Sequence, residues 1–350
     1  MPMMALASRW QQFLSTCFVL ALISATDTVA QQRRSVVHTN AVSSLALSTD
    51  GQRLLSGGHD GLVKVWDLST REQIRSTRAH REAGPDSSGV VAVSISPEDN
   101  LAASAGDTTV KLWDVVTGRL VRTLHHNKSW TSSADLAANG MLLSAAEDFT
   151  LRIWAANDGK LQRLLKGHRD HISAAKLSAD GKLITTASFD GSVRLWDTAD
   201  GALLHNLSRH EGRVFTVAIS PDGNNVASAG DDRRIRLWNS LTGELIRSLE
   251  GHTGRIHSVA FSRDGTRIAS GGGHQDHSVR VWDLATGRQV SVLKGHSGKV
   301  DAVLFSADGQ LVISAGFDHK ILVWDLTKQA MIAELGRSSA AARVPRALKK

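Results

Sequence analysis

Serine or threonine, histidine and aspartate recur together seven times along the chain, and each set ends on a tryptophan. These are the residue types of a hydrolytic triad, in which the histidine takes the proton of the hydroxyl and the aspartate orients the histidine. A catalytic set is normally unique in its chain. Seven copies, each tied to a tryptophan, therefore favour a structural role over catalysis.

The spacing of these residues is nearly constant from copy to copy. The tryptophans that end the copies are Trp66, Trp113, Trp154, Trp196, Trp238, Trp282 and Trp324. The aspartates, each six residues before its tryptophan, are Asp60, Asp107, Asp148, Asp190, Asp232, Asp276 and Asp318. The hydroxyl residues before the aspartates are Ser56, Ser104, Ser144, Thr186, Ser228, Ser270 and Ser314. The histidines that open the copies are His38, His80, His126, His168, His210, His252 and His296. A hydroxyl can accept from an indole N–H and bond an imidazole that a carboxylate holds, so the four types predict a buried tetrad.

The segments that must position these residues read as short β-strands. Apolar and polar residues alternate, as in 214–219 (VFTVAI), and Asp-Gly hairpin dipeptides separate the runs. Successive tryptophans are 41 to 47 residues apart, and most repeats carry Gly-His or Trp-Asp marks. Such a period is typical of a β-propeller array.

Over roughly residues 36–336 the chain resembles the WD-repeat family, whose units open on Gly-His and close on Trp-Asp. The resemblance implies an all-β fold, a seven-bladed WD-repeat β-propeller with four-stranded antiparallel blades. It also implies that each tetrad is buried inside its blade. The match is imperfect after Trp154 and Trp238, which are followed by Ala155 and Asn239 instead of aspartate.

Each copy continues past its tryptophan with a run that fits a fourth strand. After Trp324 this run is 329–335, and we expect it to complete the last blade. The WD-repeat family more often closes the ring with an N-terminal strand, for which Val36-Val37 is a short candidate. Closure of either kind removes exposed sheet edges.

Three segments are predicted: a signal peptide at 1–30, the propeller at 31–336 and a basic disordered tail at 337–350. Residues 1–30 contain an apolar run, 13–25, and end on the small residues of Thr28-Val29-Ala30, which are typical of a signal-peptidase site. The run is shorter than the about 20 residues that span a membrane. We therefore expect export to the periplasm or outside the cell, with a cytoplasmic location as the alternative.

Two compositional features narrow the function. The only cysteine, Cys17, lies in the predicted signal peptide, so a mature chain would have no disulfide and no thiol nucleophile. The net charge of +7 comes from the tail, with five cations, and from Arg33 and Arg34, which leaves the propeller nearly neutral. The basic balance is therefore poor support for a nucleic-acid-binding face, and we expect no specific nucleic-acid partner.

The repeats also predict a binding face. In the WD-repeat family the segment before the first strand of a blade and the turn between its second and third strands lie on one face, the top. Both insertions of this chain, 81–89 and 271–277, fall in such segments, and insertions on one face often mark a binding face. Tolerated loop growth is the alternative. The side chains expected on the top face are Trp130, His171, Phe189, Arg213, Asp231, Arg255, Gln275, Lys299 and Phe317.

We therefore predict a monomeric, non-enzymatic scaffold whose preorganised top face binds a protein or peptide with acidic and apolar groups. We expect no cofactor and no metal, because the chain lacks a phosphate loop, a dinucleotide fingerprint and a His-Glu-x-x-His motif. Two alternatives remain. One is a propeller enzyme with its site in the top or central funnel, which needs a polar cluster beyond the repeated tetrads. The other is an envelope carbohydrate-binding protein, which usually exposes tryptophan and tyrosine, and the chain has no tyrosine.

Overall fold

Twenty-eight β-strands make up all the regular structure of the described residues. The structure is a computed structural model, and it describes residues 37–336 except 86, 99, 127 and 128. The predicted signal peptide, 1–30, and the predicted tail, 337–350, lie outside this range. Among the described residues no helix is long and apolar enough to cross a membrane.

The strands follow one another in groups of four along the chain. The first two groups are β1 Val42–Leu47, β2 Arg53–Gly58, β3 Leu62–Asp67, β4 Gln73–Arg78, β5 Ala92–Ile95, β6 Leu101–Gly106, β7 Thr109–Asp114 and β8 Leu120–His125. The next three are β9 Thr131–Leu136, β10 Met141–Ala146, β11 Leu151–Ala155, β12 Leu161–Leu165, β13 Ile172–Leu177, β14 Leu183–Ser188, β15 Val193–Asp197, β16 Leu203–Leu207, β17 Val214–Ile219, β18 Asn225–Gly230, β19 Arg234–Asn239 and β20 Leu245–Glu250. The last two are β21 Ile256–Phe261, β22 Arg267–Gly272, β23 Val279–Asp283, β24 Gln289–Leu293, β25 Val300–Phe305, β26 Leu311–Gly316, β27 Ile321–Asp325 and β28 Ala330–Glu334.

Each group is a four-stranded antiparallel sheet, so the predicted seven-bladed propeller is confirmed. We call the strands of a blade a, b, c and d in chain order. Because neighbours are antiparallel, the a–b and c–d turns lie at one end of every blade, the bottom. The b–c turns and the segments that lead into strand a lie at the other end, the top.

The last blade is completed from the C-terminal side. Strand β28 pairs with β27 through Val323 and Ala333, which confirms the expectation that the run 329–335 supplies the fourth strand. Blade 7 then packs on blade 1, where Ile313 and Ile321 share a buried cluster with Val42 and Trp66. Six further clusters join the other neighbouring blades in the same way, so the apolar core runs around the ring.

The a strands of neighbouring blades belong to different sheets and are joined by side-chain hydroxyls. The Ser173 hydroxyl of blade 4 donates to the carbonyl of Val214 in blade 5 at 2.6 Å. The Ser132 hydroxyl makes the same bond to Ile172 at 2.5 Å. Ser132 and Ser173 are each the second residue of strand a, where a β-bulge interrupts the register of six blades. A bulge leaves one residue unpaired and re-aims its side chain. The bulged residues are Ser43, Ser132, Ser173, Phe215, His257 and Asp301.

Candidate functional site

The repeated polar residues form hydrogen-bonded tetrads inside the blades. In blade 5, His210 Nε2 lies 2.7 Å from Ser228 Oγ, and His210 Nδ1 lies 3.0 Å from the carboxylate of Asp232. The indole N–H of Trp238 donates to the same Ser228 oxygen at 2.8 Å. Ser228 is completely buried, so a substrate has no route to this hydroxyl. Blades 1, 4, 6 and 7 repeat these three contacts.

The pKa shifts of the tetrad residues fit a structural role. Burial lowers the pKa of His252, and this effect outweighs the opposite influence of the Asp276 carboxylate, so the imidazole is neutral at pH 7. Burial raises the pKa of Asp276, but its hydrogen bonds to His252 and Ser278 prevail and hold that pKa below its usual value. A neutral imidazole between a hydroxyl and a carboxylate satisfies each of its neighbours, as a buried network requires.

Blade 2 departs from this pattern, and the expectation of seven complete tetrads is wrong there. Ser104 bonds both His80 and Trp113, but the Asp107 carboxylate lies 3.9 Å from His80 Nδ1. The Asp107 carboxylate instead accepts a hydrogen bond of 2.7 Å from the hydroxyl of Ser87, which belongs to the inserted segment. The reason is a shorter b–c turn, in which two residues lie between the hydroxyl residue and the aspartate, against three in five other blades.

Blade 3 is modified in another way. The Arg152 guanidinium inserts between the histidine and the aspartate, with Nη1 2.9 Å from His126 Nδ1 and Nη2 2.8 Å from Asp148. Burial and this guanidinium lower the pKa of His126 to about 3. Arg236 of blade 5 likewise contacts both His210 and Asp232, although there the direct contact of the two is kept.

The top face is framed by one backbone hydrogen bond per blade. In six blades the residue just after strand b, the turn residue, donates its N–H to the carbonyl of the residue just before strand a, the lead residue, at 2.6 to 2.9 Å. The pairs, written with the lead residue first, are Ala41 with His59, Trp130 with Glu147, His171 with Phe189, Arg213 with Asp231, Arg255 with Gly273, and Lys299 with Phe317. The backbone positions are thus repeated, whereas no two of these blades carry the same pair of lead and turn side chains.

Eight of the nine predicted top-face residues are lead or turn residues of these pairs. The exception is Gln275, because the insertion in blade 6 places Gly273 at the turn position. Gln275 is exposed and lines a cavity of about 490 Å³ with Asp231, Arg233, Arg255 and His274, which we call the rim cavity.

Several of the predicted cations are already engaged. Arg255 Nε lies 2.8 Å from the Asp231 carboxylate of the preceding blade, while the Arg255 side chain stays 62% exposed. Lys299, another residue predicted for the top face, is largely buried and lies 2.8 Å from the Asp301 carboxylate. Burial raises the pKa of Asp301. Phe317 is 49% exposed, with the Lys299 ammonium 5.8 Å from its ring centre.

A second cavity opens where the lead residues of blades 3 and 4 face the central channel. Its volume is about 250 Å³, and we call it the funnel. Its larger wall residues are Trp130, Glu147, His171, Phe189, Phe215 and His257. The structure therefore brings together Trp130, His171 and Phe189, three of the residues predicted for the top face, and adds two bulged residues, Phe215 and His257, that were not predicted.

The rings of the funnel form a continuous chain. The centroids of His171 and Phe189 are 4.8 Å apart, those of Phe189 and Phe215 are 5.6 Å apart, and Phe215 stacks on His257 at 4.7 Å. Phe215 and His257 each occupy the second position of strand a, which is serine in three other blades. A ring at this position is the sequence feature that would have identified them.

Comparison with known proteins agrees with this geometry. The family model described as "WD domain, G-beta repeat" matches seven segments, at residues 31–67, 71–114, 118–155, 159–197, 201–239, 243–283 and 287–325. The chain belongs to the WD-repeat family. Each matched segment ends within a residue of a repeat tryptophan, so the family units begin near strand d of one blade and end at strand c of the next.

Individual relatives of this WD-repeat protein match only about two repeats. The chain is 35% identical over 92 residues to WD repeat-containing protein 1 of Xenopus tropicalis, which covers 25% of this chain and 14% of that protein. It is 30% identical over 95 residues to COMPASS component SWD3 of Saccharomyces cerevisiae, covering 27% and 28%. It is 34% identical over 87 residues to small ribosomal subunit protein RACK1z of Arabidopsis thaliana, covering 25% and 24%. The match thus spans less than a third of each relative.

Proposed function

We propose that this WD-repeat protein is a non-enzymatic scaffold whose top face binds a protein or peptide partner. The supporting observation is the set of six lead–turn pairs, in which a constant backbone bond presents side chains that change from blade to blade. A surface held in this way loses little conformational entropy when it binds. Two of the relatives are named as components of larger assemblies, a COMPASS component and a ribosomal subunit protein, which supports a role in protein assembly.

The rim of blades 5 and 6 suits a partner with acidic groups. Arg213, Arg233 and Arg255 are exposed, and Asp231 is the carboxylate among them. Since Asp231 contacts Nε of Arg255, the terminal nitrogens of that guanidinium remain available to a partner carboxylate. Phe317 adds a half-exposed apolar anchor on the neighbouring blade.

The proposal is tested by affinity capture from a lysate, with Arg213→Ala/Arg255→Ala/Phe317→Ala compared with the wild type. We expect this variant to lose at least about ten-fold in captured partner, since arginine and aromatic anchors dominate interface energetics. The matched control, Lys160→Ala/Lys182→Ala/Leu241→Ala, removes two exposed cations and one exposed apolar side chain from bottom turns. Equal capture by the top-face variant and the wild type, with both folded, would refute the top-face site.

We also propose that the protein is a monomer without a specific nucleic-acid partner, because its excess positive charge lies in the terminal segments of the sequence. Light scattering of the purified protein tests the first part, and a dimer mass would contradict it. A filter-binding titration with duplex DNA and with single-stranded RNA tests the second. Salt-resistant, sequence-dependent binding of either would contradict it.

The location of the protein has two competing explanations. The segment 1–30 favours export with cleavage after Ala30, whereas the ribosomal and COMPASS relatives favour the cytoplasmic alternative. Mass spectrometry of the protein purified from its own cells decides between them. An N-terminus at Gln31 in an envelope or culture fraction supports export, and an intact N-terminus in the cytoplasmic fraction overturns it.

A further inference from the structure

We propose that the funnel binds a positively charged side chain, a guanidinium or an ammonium group, that the partner inserts from the top face. The inference rests on the proposed function, because it names the chemical group that the same face recognises. Its basis is the composition of the funnel wall, where aromatic rings and one carboxylate meet and no lysine or arginine lines the cavity among the described residues.

The size of the funnel fits one side chain. Its volume of about 250 Å³ lies below the range of roughly 300–1,000 Å³ that pockets for drug-sized ligands occupy. The wall is also held in place, because Phe189 is packed edge-on against both His171 and Phe215. A ligand of one side chain would therefore meet rings that are already ordered.

The aromatic rings favour a cation. Trp130, Phe189 and Phe215 are half-buried and contribute to one cavity, so part of each ring surface is free to contact a ligand. The face of an aromatic ring is electron-rich and attracts lysine and arginine groups within about 6 Å. The attraction is stronger where the cation is desolvated than where it is fully exposed to water.

The two histidines of the funnel wall add no positive charge to the cavity. Burial, with smaller effects of Lys299, His274 and Arg255, lowers the pKa of His257 to about 4, and burial lowers the pKa of His171. Both imidazoles are therefore uncharged at pH 7.

The remaining charge of the wall is a carboxylate. Glu147 is exposed, and within the described part of the chain it has no ion-pair partner. Its backbone N–H donates to the carbonyl of Trp130 at 2.9 Å, and both residues line the funnel. The wall thus carries a negative charge and electron-rich ring faces, a combination that stabilises a cation.

One cation of this chain already lies against an aromatic ring of the funnel wall. The Arg213 guanidinium lies 5.1 Å from the ring centre of Phe189, and Arg213 is not one of the residues that line the funnel. An aromatic ring of this wall therefore already contacts a guanidinium group. The nearby rim cavity is lined by two guanidinium groups, of Arg233 and Arg255, and by one carboxylate, of Asp231, so positive charge is in excess there. The two cavities together predict a partner that places a basic residue in the funnel and acidic residues over the rim.

The experiment titrates the full chain with N-acetyl-arginine methylamide and follows the indole N–H resonance of Trp130 by NMR. Loss of one resonance in Trp130→Phe assigns the signal. N-acetyl-citrulline methylamide, which has the same shape without the charge, is the neutral probe, and N-acetyl-lysine methylamide is the second cation. We expect both cations to bind in about the millimolar range, the affinity of a single small contact. We expect citrulline to bind at least about five-fold more weakly.

Glu147→Gln should weaken the binding of both cations by about five- to ten-fold and leave citrulline unchanged. Glu211→Gln, which removes an exposed carboxylate from the same face outside the funnel, is the matched control and should have no effect. Phe215→Ala should weaken all three probes. Citrulline binding as tightly as arginine, or Glu147→Gln having no effect, would overturn the proposal.

The two proposals fail separately. If the probes do not bind but the top-face triple variant still loses its partner, the funnel inference is wrong and the top-face scaffold stands. If the cations bind as predicted while the triple variant captures its partner normally, the proposed function is wrong and the cation site stands.

Discussion

A single substitution in blade 2 tests how the blades are packed. In six blades the residue paired across strands b and c with the repeat tryptophan is leucine, isoleucine or valine, whereas in blade 2 it is Ala102, opposite Trp113. Of the seven repeat tryptophans, all of which the structure describes, Trp113 alone is only half-buried. A cavity of about 30 Å³ lies beside both residues, between blades 1 and 2.

We predict that Ala102→Val stabilises the protein. Filling about 30 Å³ is worth about 0.7 kcal/mol at roughly 24 cal/mol per Å³ of cavity. Burying two added carbons contributes at most about 1.6 kcal/mol, at ~0.8 kcal/mol each. These are two estimates of the same stabilisation, so they are not added. Fixing the valine side chain in one rotamer opposes it by about 0.5 kcal/mol of conformational entropy. The expected gain is therefore about 0.2–1.1 kcal/mol, or a Tm rise of up to about 3 °C for a unit of this size.

The assay is urea unfolding followed by tryptophan fluorescence, with Tm measured by calorimetry. The matched control is Ala227→Val, at a completely buried alanine inside the cluster between blades 5 and 6. This substitution should destabilise the protein by about 1–3 kcal/mol, because it overpacks a filled site. A loss of stability in Ala102→Val as large as that in Ala227→Val would refute the reasoning.

Two further predictions concern the tetrads. Asp232→Asn should cost about 2–4 kcal/mol of unfolding free energy in urea unfolding, because it leaves Arg236 and His210 without their carboxylate, whereas Asp107→Asn should cost about 1 kcal/mol or less. Equal losses would contradict the assignment of blade 2 as the incomplete blade. The pKa values of His80, about 4, and His126, about 3, lie below the ordinary 6.5, so below pH 6.5 the unfolded chain binds protons that the folded chain does not. Stability should therefore fall by a few kcal/mol, as an order of magnitude, between about pH 6.5 and 4, and a flat profile of unfolding free energy over that range would contradict it.

Most of the fold was predictable because the repeat fixes several positions at once. The tryptophan, the aspartate six residues before it and the period-two runs together define strands b and c of every blade. The last strand was also predictable, since the run after Trp324 has the same pattern as the runs after the other tryptophans. The tetrad of blade 2 was predicted wrongly because its aspartate was placed only by its distance from Trp113. That distance does not show that the segment between Ser104 and Asp107 is one residue shorter than in five other blades.

The candidate site was predictable only in part. Lead and turn residues such as Trp130 and Phe189 follow from their places next to a strand end. Phe215 and His257 lie inside strand a, and a simple alternation of faces does not reveal that a bulge turns them toward the channel. Ion pairs between blades, such as that of Arg255 with Asp231, depend on the distance between neighbouring sheets. The spacing of residues along the sequence does not give that distance.

Hydrogen exchange of the complex with the captured partner tests the central claim most directly. Binding should slow exchange in the top segments of blades 4 to 6, at 169–172, 211–214, 231–234 and 253–257. The bottom turns at 178–182, 220–224 and 262–266 should exchange as in the free protein. Slower exchange at the bottom turns with none at the top would contradict the account.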